Sequence, residues 1–342
     1  MSDAGHKGTD DIIAKMEKRI AKEYKQASKE VDKKLKEYMK SFAAKEKAER
    51  EKLANGEITE DQFNRWRMTQ MLTGKRWEAL RDSLTQDMVN ANGIARSTIQ
   101  EHMADVYALN RNYAAYEIEQ DAHIDTSWTL YNRRAVENLF RDNERMLPMP
   151  KEGGKAWQAM MNKDTRWNQQ KIHSSMIQGI LQGDGAREMS ERLQKVVGMN
   201  YTSAVRNART MSTYIQSEAR QDTYDDLEAK GIELTTVWIA TLDDRTRESH
   251  RWLHGTERDP ETGLFMNGLE FPADPAGDPE EVYNCRCTIR STVKGFDRDV
   301  PKWSPKMGDE TYEEWLGNHN PFEDGENVVE QRQLYRGKTN VY

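Results

Sequence analysis

VWIATLDDRTRESHRWLHGT, residues 237–256, and VYNCRCTIR, residues 282–290, are the two ends of one stretch around which the rest of this 342-residue chain is organised. Over Ile232–Ala240 apolar and polar residues alternate, with β-branched Thr and Val among them, the pattern of a half-buried strand. Val282–Thr292 is the candidate strand to pair with it. Between them lies a loop rich in Gly, Pro and Asp, residues 255–279. Both cysteines of the chain, Cys285 and Cys287, stand at the far end, and His250 and His254 stand one helical turn apart at the near end. Thr241 and Asp244 resemble a capping box that opens a short helix carrying both histidines. Thiols beside paired histidines, across a long irregular loop, suggest a clamp that holds the loop shut.

Upstream, the pattern is helical almost throughout. Ile13, Met16, Ile20, Tyr24, Ala27, Val31, Leu35, Tyr38 and Phe42 recur at steps of three or four, the seam of a long helix. Residues 14–52 hold 14 Lys or Arg against 8 Asp or Glu. That balance suits either a basic arm touching DNA or a solvated helix face. Asn55-Gly56 ends this helix, and Thr59 with Gln62 forms a capping box for the next, which carries Phe63, Trp66, Trp77, Leu80, Leu84 and Met88. Pro148-Met149-Pro150 and Gly153-Gly154 mark a linker. Beyond it, helices are expected near 155–182, 186–197 and 202–229. The last presents Ala204, Ala208, Met211, Ile215 and Ala219 to a close neighbour and is closed by Gly231. After Gly295, Pro301, Pro305 and Pro321 break any long element, a short helix is possible over Glu310–Leu316, and Trp303, Trp315 and Phe322 are spaced like anchors on another surface.

Composition narrows the classes. Charged residues are 32% and hydrophobic residues 36% of the chain, with a mean hydropathy of −0.98, which fits long solvated helices with narrow apolar stripes. The net charge of −7 argues against a dedicated nucleic-acid binder. No apolar run is long enough to span a bilayer, and the first residues, MSDAGHKGTDD, lack an export signal. Two cysteines in a chain of this size point to a reducing compartment, where a thiol packs or binds metal rather than forming a disulfide.

Several of these residues also carry a likeness. Ala204, Ala208-Arg209-Thr210, Trp238, Ala240-Thr241, Asp243, Arg245-Thr246-Arg247, His250, Gly255 and Asn284-Cys285-Arg286-Cys287 occur in an order that resembles the bacteriophage Mu protein F-like family, over roughly 165–292. The resemblance implies a minor head, or head morphogenesis, protein of a tailed phage. Such a protein lies in the virion, at the portal vertex or head interior, after assembly in the host cytoplasm. It implies contact with the portal protein and the major capsid protein, several copies per particle, and a part in head assembly and DNA packaging or ejection. Many relatives carry cysteine where this chain has Arg247, and His-Pro where it has Val282-Tyr283. The candidate ligands here are then His250, His254, Cys285 and Cys287. Two histidines at i and i+4 share a helix face, and two thiolates would neutralise Zn²⁺ in a closed structural site. The plain alternative puts one cysteine inside and one outside a strand, with His250 bonded to the loop.

The expectation is a predominantly helical α+β protein. Residues 1–150 form a helical arm or bundle, 151–295 the compact domain with a small β-hairpin or sheet, and 296–342 an extended tail. The function expected is structural and non-enzymatic, with phage DNA a possible partner of the basic arm and no membrane contact. The competing reading is a nuclease- or hydrolase-like effector with Asp243 and His250 as an acid–base pair.

Overall fold

The computed structural model describes residues 3–142 and 149–295; the expectations for the tail, including a helix at Glu310–Leu316, lie outside the described residues. The chain is an α+β protein dominated by helix, with one small sheet. In order it forms α1 (Ala4–Lys40), α2 (Ala43–Ala54), α3 (Glu60–Leu72), α4 (Gly74–Ala122), α5 (Arg133–Asp142), α6 (Lys155–Leu181), α7 (Ala186–Ala229), β1 (Leu234–Ile239), α8 (Glu248–Leu253), α9 (Pro279–Val282) and β2 (Thr288–Val293). None of the described helices is long and apolar enough to cross a membrane.

Two compact units emerge, each discontinuous in sequence. One draws on the described residues of Met1–Met16, Ile99–Pro148 and Arg206–Tyr342, the other on Glu17–Thr98 and Met149–Val205. Helices α1, α4 and α7 each supply residues to both.

In the second unit the apolar seam of α1 is buried as its spacing dictates, from Ile20 and Tyr24 through Val31, Leu35 and Phe42. The helix breaks at Ser41 and Phe42, earlier than Asn55-Gly56, and the short α2 that follows buries none of its residues. Thr59 and Gln62 form the expected capping box at the start of α3. Gly74, at a φ of 80°, separates α3 from α4, because the left-handed region carries no Cβ penalty for glycine. A polar layer crosses this core. Asn200 donates to Asn168 Oδ1 at 2.9 Å and to the Val196 carbonyl at 2.9 Å, and accepts from Asn92 at 3.0 Å. α7 runs unbroken from Ala186 to Ala229 where two helices were expected.

The first unit holds the sheet. β1 and β2 pair antiparallel, with Leu234 opposite Val293, Thr236 opposite Ser291 and Trp238 opposite Ile289. Leu234, Thr236 and Trp238 point inward, and the Thr236 and Ser291 hydroxyls meet at 2.6 Å. Ala208, Ile215 and Ala219 of α7 are buried. Near the start of α1 the glycines admit a close neighbour: a Cβ on Gly8 would stand 2.7 Å from Leu109, and one on Gly5 would stand 2.8 Å from the Tyr113 ring. A core of Tyr224, Leu227, Trp238, Leu253, Phe265, Leu269 and Ile289 extends to Cys285 and Cys287.

Candidate metal centre

The short helix α8 places the first donor. It begins at Glu248 with Arg247 as its N-cap, several residues later than a capping box at Thr241 would start it. Thr241 instead donates its hydroxyl to the Arg286 carbonyl, and the Thr246 hydroxyl donates to the Thr241 carbonyl, so the segment before α8 is a knot of side-chain bonds rather than helix. On α8, His250 and Leu253 turn inward, and His250 is 1% exposed. The helix then stops at Leu253. His254 is its C-cap, with ψ of 121°, and Gly255 follows at φ of 76°. The i, i+4 relation therefore fails to bring the two imidazoles together. Nδ1 of His254 accepts the Ala240 N–H at 3.2 Å, outside the cluster that His250 joins.

The second and third donors come from the approach to β2. Cys285 and Cys287 are both buried, at 1% and 2% exposure. Residues two apart in extended chain share a face, so the alternative with one thiol inside and one outside does not hold; Arg286 is the residue that points the other way. Two hydroxyls of α7 fix this segment. Thr213 donates to the Cys285 carbonyl at 2.7 Å, and Thr210 accepts the Asn284 N–H at 3.0 Å. Asn284 sits at φ of 57°, which swings the chain so that both sulfurs face His250.

His250 Nδ1 lies 3.3 Å from Cys287 Sγ and 3.6 Å from Cys285 Sγ, and one ligand atom from each of the three residues falls within 4.8 Å of the others. The opposite ring nitrogen, Nε2, is 2.9 Å from Glu281 Oε2. Glu281 was not anticipated from sequence. It rides on α9, whose start is set by Pro279 and by Asp278 capping the Glu280 N–H. The edge of the fully buried Trp238 ring meets the His250 ring at a centroid distance of 5.2 Å and the Phe265 ring at 5.1 Å. Its buried indole N–H has no hydrogen-bond partner among the described residues.

The electrostatics split the two thiols. Hydrogen bonding from the Cys285 thiol above all pulls the Cys287 pKa down against the effect of burial. Burial pushes Cys285 up, and the Cys287 thiolate pushes it further. A bound dication would favour the thiolate form of both sulfurs. Two soft sulfurs and a borderline imidazole nitrogen, screened from water, form a donor set that fits a soft or borderline divalent metal.

The acid–base pair is not assembled. Asp243 accepts from both terminal nitrogens of Arg286, at 2.6 Å each, and from the Arg245 N–H and Thr246 hydroxyl. Arg286 above all holds that carboxyl well below the usual range. Both ring nitrogens of His250 are committed elsewhere. A bidentate guanidinium lock leaves Asp243 poorly suited to take a proton.

Residues 170–290, a span that includes His250, Cys285 and Cys287, match the family described as Phage Mu protein F like protein. The Minor head protein GP7 of Bacillus phage SPP1 is 22% identical over 290 residues, covering 84% of this chain and 85% of that protein. The NAD(+)--arginine ADP-ribosyltransferase EFV of Enterococcus faecalis (strain ATCC 700802 / V583) is 28% identical over 207 residues, 59% of this chain, and the chain spans 41% of that protein's length. No solved structure matches. Over residues 170–290, the chain is thus similar to the family described as Phage Mu protein F like protein.

Proposed function

We propose that the protein is a structural minor head protein of a tailed phage, placed at the portal vertex or on the inner face of the head. There it contacts the portal protein and the major capsid protein, is present in several copies, and serves head assembly and DNA packaging or ejection without catalysis of its own. The observation that carries this reading is the likeness to the SPP1 minor head protein across most of both chains. The test is co-expression with portal and major capsid proteins, followed by purification of particles and mass analysis of their contents. Retention in intact particles is expected; a protein found only in the soluble fraction, with no affinity for portal, ends the reading.

At the centre we propose one zinc ion bound by His250 Nδ1 and the Cys285 and Cys287 sulfurs, with the purpose of fastening α8 to the approach to β2. A structural zinc contributes its binding energy directly to folding. The buried donors support this role better than a reactive one, because a nucleophile must reach its substrate.

The enzyme reading has one specific observation in its favour, the 28% identity with a protein named as an arginine ADP-ribosyltransferase. The chain spans less than half of that protein, so the transferase activity does not travel with the likeness. Incubation with labelled NAD⁺ and an arginine-containing acceptor is expected to transfer no label. Any DNA contact would run through the exposed lysines of α1, such as Lys22, Lys25 and Lys29. Reversing their charge would then abolish salt-sensitive retention on DNA.

A further inference from the structure

We propose that Glu281 is a positioning residue for the metal centre, the group that commits His250 to its metal through Nδ1. The inference deepens the metal reading given above and rests on it. A neutral imidazole carries its proton on either ring nitrogen, and only the bare one can donate to a cation. Around His250 the choice is made by the surroundings. Nε2 faces the Glu281 carboxylate at 2.9 Å, and a carboxylate only accepts, so the proton stays on Nε2. The lone pair of Nδ1 is left facing the two sulfurs.

The carboxylate is itself held from two further directions. The Ser249 hydroxyl reaches both of its oxygens, at 2.9 and 3.2 Å, and the Asn267 amide donates to Oε2 at 3.3 Å. These donors fix both carboxylate oxygens of Glu281 in place beside the ring. They also come from separate pieces of chain. Ser249 is on α8, Glu281 on α9, and Asn267 in the Gly- and Asp-rich loop between them. The long loop thus acquires a definite task, which is to bring one amide to the carboxylate that orients the ligand histidine. Outer partners of this kind fix ring orientation and strengthen the ligand.

The experiment measures zinc affinity of the full chain by competition with a chromophoric chelator, together with the absorption spectrum of the cobalt-loaded protein. Glu281→Gln keeps the shape but weakens the acceptor and lets an amide donor turn toward Nε2. Zinc affinity is expected to fall about 10- to 100-fold, with a shift in the cobalt d–d bands and with the cobalt–thiolate charge-transfer bands retained. Glu281→Asp should restore part of the loss. Ser249→Ala and Asn267→Ala, which loosen the carboxylate without removing it, should give smaller losses in the same direction, and they carry the test if the Glu281 variants do not fold. Unchanged affinity and an unchanged cobalt spectrum in folded Glu281→Gln overturn the positioning role while leaving the metal site standing. Wild-type protein that takes up neither zinc nor cobalt overturns the metal reading, and the positioning role falls with it.

Discussion

Arg220 of α7 donates through Nη1 to the main-chain carbonyl of Ile289 at 3.0 Å, inside a unit where its side chain is wholly shielded from water. The contact pins β2 two residues past Cys287. The same guanidinium holds Asp3 Oδ1 at 2.6 Å and Glu117 Oε2 at 3.4 Å, and it also takes Asn110 Oδ1 at 3.2 Å. A buried cation with this many acceptors cannot be removed cheaply, because its partners stay behind without water. Arg220→Ala is expected to cost about 3–5 kcal/mol, read as a lowered midpoint in urea. A loss near zero would mean that the network relaxes to solvent.

The two histidines should separate cleanly. His250→Ala is expected to abolish zinc binding and to lower the melting temperature of the metal-loaded protein to that of chelator-treated wild type. His254→Ala should leave zinc stoichiometry unchanged, since that imidazole serves only the Ala240 N–H among its described contacts. The assay is metal content of purified protein with and without chelator. Zinc lost from His254→Ala but retained by His250→Ala would reverse the assignment.

This distinction marks where sequence reading worked and where it stopped. Period-two alternation located β1, whose buried and half-buried residues take turns along the strand; its partner begins at Thr288 and not at Val282, because Val282 ends α9 and the burial of β2 does not alternate. The convergence of His250 with the cysteines was also legible, from residue type alone. What spacing could not reveal was that α8 ends one residue too soon for His254 to share its face, a matter of cap geometry at Gly255. Glu281 was silent for a different reason. It is one acid in a Pro-Glu-Glu turn, and it becomes part of the site only when α9 folds beneath α8. Arg220 was equally silent: a charge on a helix lined with small residues looks like surface until the helix is seen enclosed. The break at Ser41 has neither glycine nor proline to announce it.

The acidic side of α7 predicts a pH dependence. Glu218 is partly buried and faces Asp222, Glu270, Asp274 and Asp225; burial first, then those charges, push its pKa from 4.5 to about 7. A carboxyl with a raised folded pKa binds more protons folded than unfolded, so it disfavours folding progressively as pH rises from about 4.5 to about 7. Glu218→Gln keeps the volume and removes the charge. The stability difference, variant minus wild type, should be small at pH 4 and should grow in the variant's favour up to pH 8. A constant difference across that range would show that Glu218 titrates at its ordinary value.

The asparagine layer of the second unit supplies the last prediction. Asn200 fills the gap between Asn92, Asn168 and the Val196 carbonyl, and Asn92 in turn donates to Asp164 at 2.8 Å. Tyr24 closes the chain by donating to Asn92 Oδ1 at 2.5 Å. Every member is satisfied, so the layer costs little as built, and it favours the one helix register in which the amides meet. Asn200→Leu adds apolar burial but removes the partner of one Asn92 N–H and of Asn168 Oδ1. Each unpaired amide costs about 1–3 kcal/mol, more than one leucine returns where it has no cavity to fill. Net destabilisation is expected, with broader unfolding as neighbouring registers draw closer in energy. Replacing Asn92, Asn168 and Asn200 together with apolar residues removes the stranded groups and should recover much of the stability. A single Asn200→Leu variant more stable than wild type would show that the layer contributes nothing beyond packing.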